Sequence, residues 1–292
     1  MTLEIFQSIE NEVIGIIKDS FCKAIEESTS DFILLLARGG YNEFLERSSI
    51  DLSPFVIDDR TDFLVDLTRK KFFVKYINDY VSRLVNNKYM SNEEEFEITI
   101  QLMIYSHIWE SHLFLNQLER LAMIQLGKGY NWISQLNNSE TKKGAFIKNN
   151  IINRFERSDN NMAELIKRCY SNNLRNDFAH STYYISDRKI TSNGSYLFSG
   201  PTINFEEWEE RFVYSMLLSY QMSDMLLEYR NQYIDIQGDT PIMIEIPLKR
   251  NHNKKGYAYI KPERINGKEE KVRFVFAQNE DAILSKGTLF LP

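Results

Sequence analysis

Cysteine is close to absent: Cys22 and Cys169 are the only two among 292 residues. That excludes a disulfide framework and a cysteine-built zinc site, and leaves two reduced thiols, as expected of a cytoplasmic protein. Glycine, with 12 residues, and proline, with 6, are scarce as well. Both interrupt helix interiors, so their scarcity excludes collagenous and loop-dominated chains and favours long helices. Long apolar runs are also missing. The longest, at 32–37, falls far short of the ~20 residues that span a bilayer. Met1-Thr2-Leu3-Glu4 opens without the basic and apolar regions of a secretory signal, so a cytoplasmic location with no membrane association is the expectation.

What remains is an ordinary soluble composition, 43% hydrophobic and 26% charged. The net charge of −6 is unevenly spread: from Lys249 onward ten Lys/Arg face five Asp/Glu, a net of +5, which leaves −11 for the rest. Such asymmetry marks either a nucleic-acid or partner surface or a basic segment that only solvates the chain.

Residues 3–27 read as a helix with Ile5, Ile9, Val13, Ile16 and Ile17 on one stripe. Thr29 or Ser30 caps a short second helix, which Gly39-Gly40 should stop. A helix from about 62 to 86 carries Arg69-Lys70-Lys71 beside Phe72 and Phe73, whose rings are expected to face the core. Ser91 and Glu94 spell a capping box that opens one long helix to about 126. On it His107, Glu110 and His112 share no clean face, which argues against a metal site. Helices near 146–157 and 161–170 follow, then another capped by Asn172 or Asn173. Residues 182–187 and 195–198 are strand-like, with Asn193-Gly194 between them as a hairpin turn. A helix from 205 to about 233 comes next. Beyond Gly238 the runs at 242–248, 257–261, 272–276 and 288–291 are β-type, with Asn266-Gly267 as a further turn. The fold class expected is mainly α: a helical bundle with a β-hairpin insertion and a small C-terminal antiparallel β unit. Residues 1–60 form N-terminal helices packing on the bundle, 61–236 the main helical domain, and 237–292 a small basic β appendage.

One run concentrates chemistry: Arg175-Asn176-Asp177-Phe178-Ala179-His180, which holds one of only four histidines. On a helix Asn176 and His180 share a face, and the long Arg175 side chain reaches the same spot. A base that titrates near neutrality, a fixed cation and a neutral amide suit a phosphodiester. Asp177 opposes phosphate binding unless it points away or pairs with Lys167 or Arg168. In the basic C-terminal segment Tyr257 and Tyr259 alternate on one strand face near Lys254, Lys255 and Lys261. Aromatics with cations stack bases and contact phosphates, so Lys254, Lys255, Tyr257 and Tyr259 are candidate RNA-binding residues.

The Arg-Asn-x-x-x-His run, late in a helical domain and at the start of a helix, resembles the signature of HEPN (higher eukaryotes and prokaryotes nucleotide-binding) proteins. The stretch Tyr105 to His112, with Trp109, Glu110 and Ser111, is similar to the family's earlier helix, which brings an acidic or polar residue towards the motif. The hairpin and the acidic helix bearing Trp208 also look like those of some relatives. The likeness covers residues about 60–235. It implies a HEPN-like bundle and metal-independent RNA cleavage with no cofactor. His180 would take the proton from a ribose 2′-OH, Arg175 would stabilise charge on the phosphoryl oxygens, and Asn176 would hold the phosphate or orient the histidine. Glu110 and Tyr183 are supporting residues. Products would carry a 2′,3′-cyclic phosphate and a 5′-hydroxyl. The resemblance further implies a homodimer with both motifs on a shared cleft, and an RNA substrate such as tRNA or mRNA. It also implies a toxin or antiviral (phage) defence role with an antitoxin or defence-system partner. A toxin branch carries a modifiable tyrosine two residues after the histidine; here Tyr183 stands three after His180, so that regulation is not implied. The alternative is a non-catalytic nucleotide-binding, RNA-binding or partner-interaction module of the same fold. A purely structural helical dimer is the third reading.

Overall fold

Helix α1 (Leu3–Glu27) starts where Thr2 accepts a hydrogen bond from the Ile5 backbone N–H at 3.3 Å. Its buried stripe is Phe6, Ile9, Val13, Ile17, Phe21 and Ala24, while Ile5 points to solvent, a turn of the face relative to the expected stripe. Ser28, one residue earlier than anticipated, caps α2 (Thr29–Leu36) by accepting from the Asp31 N–H at 3.3 Å. The left-handed position that ends α2 is held by Arg38 (φ 52°), not by a glycine. A computed structural model of the chain describes residues 1–47, 53–58, 60–86, 94–137, 142–192, 201–238, 240–248, 251–265 and 272–276.

Strands β1 (Gly40–Tyr41) and β2 (Phe55–Val56) pair antiparallel around the short α3 (Glu43–Arg47). Then come α4 (Arg60–Val85), α5 (Glu94–Glu110) and α6 (His112–Gln125). The single helix expected through this region is two. Ser111 leaves helical geometry (φ −69°, ψ 110°), and its hydroxyl accepts from the Phe114 N–H at 3.3 Å to cap α6. The proposed capping box at Ser91 lies outside the described residues. The short α7 (Lys143–Phe146) runs into a π-helical segment, Ile147–Ile152, and on into α8 (Asn153–Ser158). Buried Asp159 then caps α9 (Asn160–Cys169). The motif helix is α10 (Asn172–Ala179), capped by Ser171 and not by Asn172 or Asn173.

A hairpin follows the motif helix. β3 (Tyr183–Ser186) and β4 (Lys189–Ser192) join through Asp187 and Arg188, both at positive φ (50° and 56°), as a primed two-residue turn requires. β5 (Thr202–Asn204) adds a third strand to β4. Asn193-Gly194 and the strand expected at 195–198 lie outside the described residues. Helix α11 (Phe205–Gln237) stops at Gly238, whose φ of 66° suits the left-handed C-terminal position. The C-terminal sheet has β6 (Ile242–Leu248), β7 (Asn251–Arg264) and β8 (Val272–Phe276), all antiparallel in the order β6-β7-β8. Asn266-Gly267 and the run at 288–291 lie outside the described residues. The fold is thus mainly helical with small antiparallel sheets, and no described helix is long and apolar enough to cross a membrane.

One continuous core joins these parts. α1 packs on α11 and α6, and α11 also packs on α5 and α9. The inner face of the C-terminal sheet (Ile244, Ile246, Ala258, Ile260, Val272 and Phe274) belongs to that same core. Arg230 of α11, only 2% exposed, fastens the sheet. Its Nε donates to Val272 O at 2.8 Å, one Nη to Leu36 O at 2.5 Å, and the other to the Asp58 carboxylate at 2.5 Å. The Asp58 carboxylate also accepts from the Phe274 N–H at 2.5 Å.

Candidate functional site

The site is set by where α5 stops. The Ser111 break leaves the Glu110 carbonyl without a helical donor, and the Lys143 ammonium fills that place at 3.1 Å. The same ammonium ion-pairs with the Glu110 carboxylate. The other carboxylate oxygen of Glu110 takes Arg175 from α10. Thus the acidic residue expected to approach the motif from the earlier helix does approach it. Burial alone would raise the Glu110 carboxyl pKa, but the Lys143 hydrogen bond and the Arg175 charge outweigh it and hold it below the usual value. A carboxylate held in this way is a poor proton acceptor near neutrality.

Arg175 is largely buried, 15% exposed, and one Nη donates to Asn176 Oδ1 at 2.8 Å. Its Nε is buried with no hydrogen-bond partner. The start of α10 is held from behind by Tyr105 of α5. The Tyr105 hydroxyl accepts from the Ser171 N–H at 2.7 Å and donates to Cys169 O at 3.2 Å. Tyr105 in turn packs edge-on against Trp208, whose indole N–H donates to Gln101 at 2.8 Å. Buried aromatics therefore fix the helix that carries the motif, and each is worth ~1.5–3 kcal/mol of burial.

Arg175, Asn176 and Glu110 line a groove of ≈ 910 Å³ between α5, α7, α8, α9 and α10. Four lysines join them: Lys142, Lys143, Lys148 and Lys167. Of these only Lys167 stood out in the sequence, and as a partner for Asp177. The available signal was the cluster Lys142-Lys143 with Lys148 beyond it, but only the fold brings them opposite the motif. Gly144 lets α7 close on α10, since a Cβ there would overlap Asn172 Oδ1.

His180 is placed differently. The expectation put the motif at the start of its helix, but α10 ends at Ala179 and His180 is the C-terminal cap. Its backbone N–H donates to Asn176 O at 2.9 Å, its side chain is exposed, and it does not line the groove. It stands five positions after Arg175, about 7.5 Å along a helix axis. Asp177 points away from the groove. It accepts hydrogen bonds from the hydroxyls of Thr182, at 3.2 Å, and Ser192. It pairs with neither base anticipated for it: Lys167 meets Glu156 at 2.7 Å, and Arg168 meets Glu12 at 2.9 Å. Tyr183 opens β3 and packs on Phe178 with ring centroids 5.5 Å apart, away from the groove lining. Burial raises its phenol pKa.

Lys255, Tyr257 and Tyr259 sit on the outer face of the C-terminal sheet, and Lys254 lies at the irregular end of the β6–β7 pair. Tyr257 is 52% exposed, Tyr259 is half-buried, and Lys254 and Lys255 are exposed. None of them lines the groove. His107 and His112 are both exposed, on separate helices, and no group of three or more His, Cys, Asp and Glu side chains suited to a metal ion occurs among the described residues. Compared with protein-family models, curated proteins and solved structures, the chain finds no match.

Proposed function

We propose that this protein is a metal-independent endoribonuclease of the HEPN type, acting through attack of a ribose 2′-OH on the adjacent phosphorus. The observation that carries this reading is that Arg175 and Asn176 face one cationic groove while His180 ends the same short helix. Arg175 stabilises charge on the phosphoryl oxygens, Asn176 holds the phosphate, and His180 removes the 2′-OH proton. Glu110 keeps Arg175 in place before substrate arrives. The 2′-oxygen forms the new bond to phosphorus, the 5′-oxygen leaves with a proton, and the products carry a 2′,3′-cyclic phosphate and a 5′-hydroxyl. Because His180 lies beyond the groove lining of its own chain, a homodimer with the two motifs on a shared cleft is part of the proposal. A toxin or phage-defence role with a neutralising or defence partner follows from the resemblance, as does the bundle type; the cytoplasmic setting follows from the scarce cysteines.

A non-catalytic RNA-binding module is the second reading. What favours it is that Arg175 is already neutralised by Glu110 and that no imidazole lines the groove. One experiment separates the two: purified protein is incubated with total RNA in EDTA and the new ends are analysed. Cyclic-phosphate ends that vanish in His180→Ala support the nuclease. Unbroken RNA that is nevertheless bound supports the module.

A further inference from the structure

We infer that the groove holds a single-stranded polynucleotide, with Lys142, Lys148 and the Lys143–Arg175 pair gripping successive phosphates; this rests on the nuclease reading for the scissile phosphate alone. The first argument is charge. The chain carries −6 overall, yet the groove lining holds five cations, Arg175 and four lysines, against two carboxylates, Glu110 and Glu156. Lys167 is spent on Glu156 at 2.7 Å and Glu164 at 2.8 Å. Lys143 and Arg175 share the single carboxylate of Glu110, which leaves one uncompensated positive charge there. Lys142 and Lys148 are exposed and have no carboxylate partner among the described residues. Three separate points of positive charge thus line one concave wall, which suits a chain of phosphates better than one isolated anion.

The second argument is shape. The volume of ≈ 910 Å³ is near the top of the roughly 300–1,000 Å³ range of small-ligand pockets. Within it Asn153, Asn172 and Asn176 offer amides to base edges and sugar hydroxyls. Tyr170 contributes a ring fixed by Trp109, centroids 4.9 Å apart, and a hydroxyl bonded to Asn172 at 3.0 Å. Single strands are recognised in this way, by a cationic groove with amides and an aromatic ring for unstacked bases. The wall itself is unusual. In the π-helical segment, Ile147–Ile152, the wider i→i+5 turn sets Lys148 and Asn153 on one side, both facing the groove. Such segments recur at functional sites. Another cavity, ≈ 460 Å³ beside α4 and α5, is charge-matched instead: Arg83 meets Glu97 at 2.8 Å and Arg188 meets Glu206 at 2.9 Å. It offers a polyanion no surplus charge.

The test uses the full chain, EDTA, and a fluorescent single-stranded 2′-O-methyl RNA, which binds but cannot be cut by 2′-OH attack. Anisotropy is read across a salt series. Lys142→Ala with Lys148→Ala should lower the salt slope by about 1.4, two single-strand phosphate contacts at about 0.7 each. Lys142→Glu with Lys148→Glu should weaken binding by about tenfold or more. Both positions are exposed and without a carboxylate partner among the described residues, so circular dichroism should show the parent fold. Single-stranded DNA of the same sequence should compete, because the contacts are to phosphate, whereas duplex RNA should compete poorly. An unchanged slope, or duplex binding stronger than single-strand binding, overturns the inference. If unmodified RNA is cut while the lysine variants bind normally, the groove assignment fails and the nuclease stands. If the lysine variants lose binding but the parent never cuts RNA, the groove assignment stands and the nuclease reading fails.

Discussion

Two regions of this molecule carry lysines beside aromatic rings, and the fold treats them in opposite ways. On the C-terminal sheet most described cations meet a carboxylate on the same or a neighbouring strand or on α11, although Lys254 has none among the described residues. Lys255 meets Glu245 at 2.6 Å, Arg273 meets Glu263 at 2.7 Å, and Arg264 meets Asp235 at 3.1 Å. In the groove, by contrast, positive charge exceeds negative, and two lysines stand without carboxylate partners among the described residues. The linear charge count favoured the C-terminal segment, with ten cations against five acids from Lys249 onward. Local field, however, depends on which charges meet in space and not on how many share a stretch of chain. The sheet is docked on the helices through its inner face, and the groove is where cations outnumber carboxylates.

The comparison breaks most sharply at the motif. His180→Ala should abolish cleavage and Arg175→Ala should reduce it severely, each by ~10²–10⁴-fold, with Asn176→Ala milder. Single-turnover rates on a labelled RNA in EDTA check this, and a His180→Ala protein as fast as its parent would sink the mechanism. On the sheet side the large effect should be on stability. Arg230→Ala removes the donors to two backbone carbonyls and the guanidinium from the half-buried Asp58 carboxylate, which keeps the Phe274 N–H and Arg38 at 4.0 Å, so a loss of about 3–5 kcal/mol is expected in urea unfolding. A loss under about 1 kcal/mol would mean that the sheet is held by apolar packing alone.

The outer face offers a smaller test. Tyr257→Ser with Tyr259→Ser should leave RNA affinity within about threefold, whereas rings that stacked bases would cost ~1–3 kcal/mol per base. A larger loss than in the groove variants would invert the comparison. The smallest effect concerns Glu110. Its carboxyl pKa is lowered in the folded protein, so its ion pairs stabilise above the unfolded carboxyl value and cease to do so as pH falls through the lowered one. Glu110→Gln should therefore melt slightly below the parent at neutral pH, and the gap should close in acid. A gap that widened in acid would contradict the sign of the shift.

Much of the fold was legible in the sequence because its causes are local. Scarce glycine and proline together with apolar periodicity give α1, α4 and α11, and Gly238 marks the end of α11 through its left-handed backbone. β-type runs after that point give the C-terminal strands β6 and β8 at the expected bounds. Spacing within six residues put Arg175 beside Asn176 on one helix. Other features escaped the sequence although their causes are also local. The division of α5 from α6 looked like continuous helix until Ser111 was seen to cap the second piece. The turn at Asp187-Arg188 went unread because, although Asp187 suits the left-handed backbone of a primed turn, Arg188 carries no such signal.

What the sequence alone determined is therefore the helical character, the C-terminal strands and the grouping of arginine with asparagine, each set by interactions a few residues long. What only the tertiary structure decided is the site's environment. The meeting of Glu110, Lys143 and Arg175 spans three separated segments, the lysine wall is brought opposite the motif by packing, and His180 is left outside the groove by the end of α10. The physical reason is range: helix and strand signals act between neighbours in the chain, whereas charge compensation and burial act between neighbours in space.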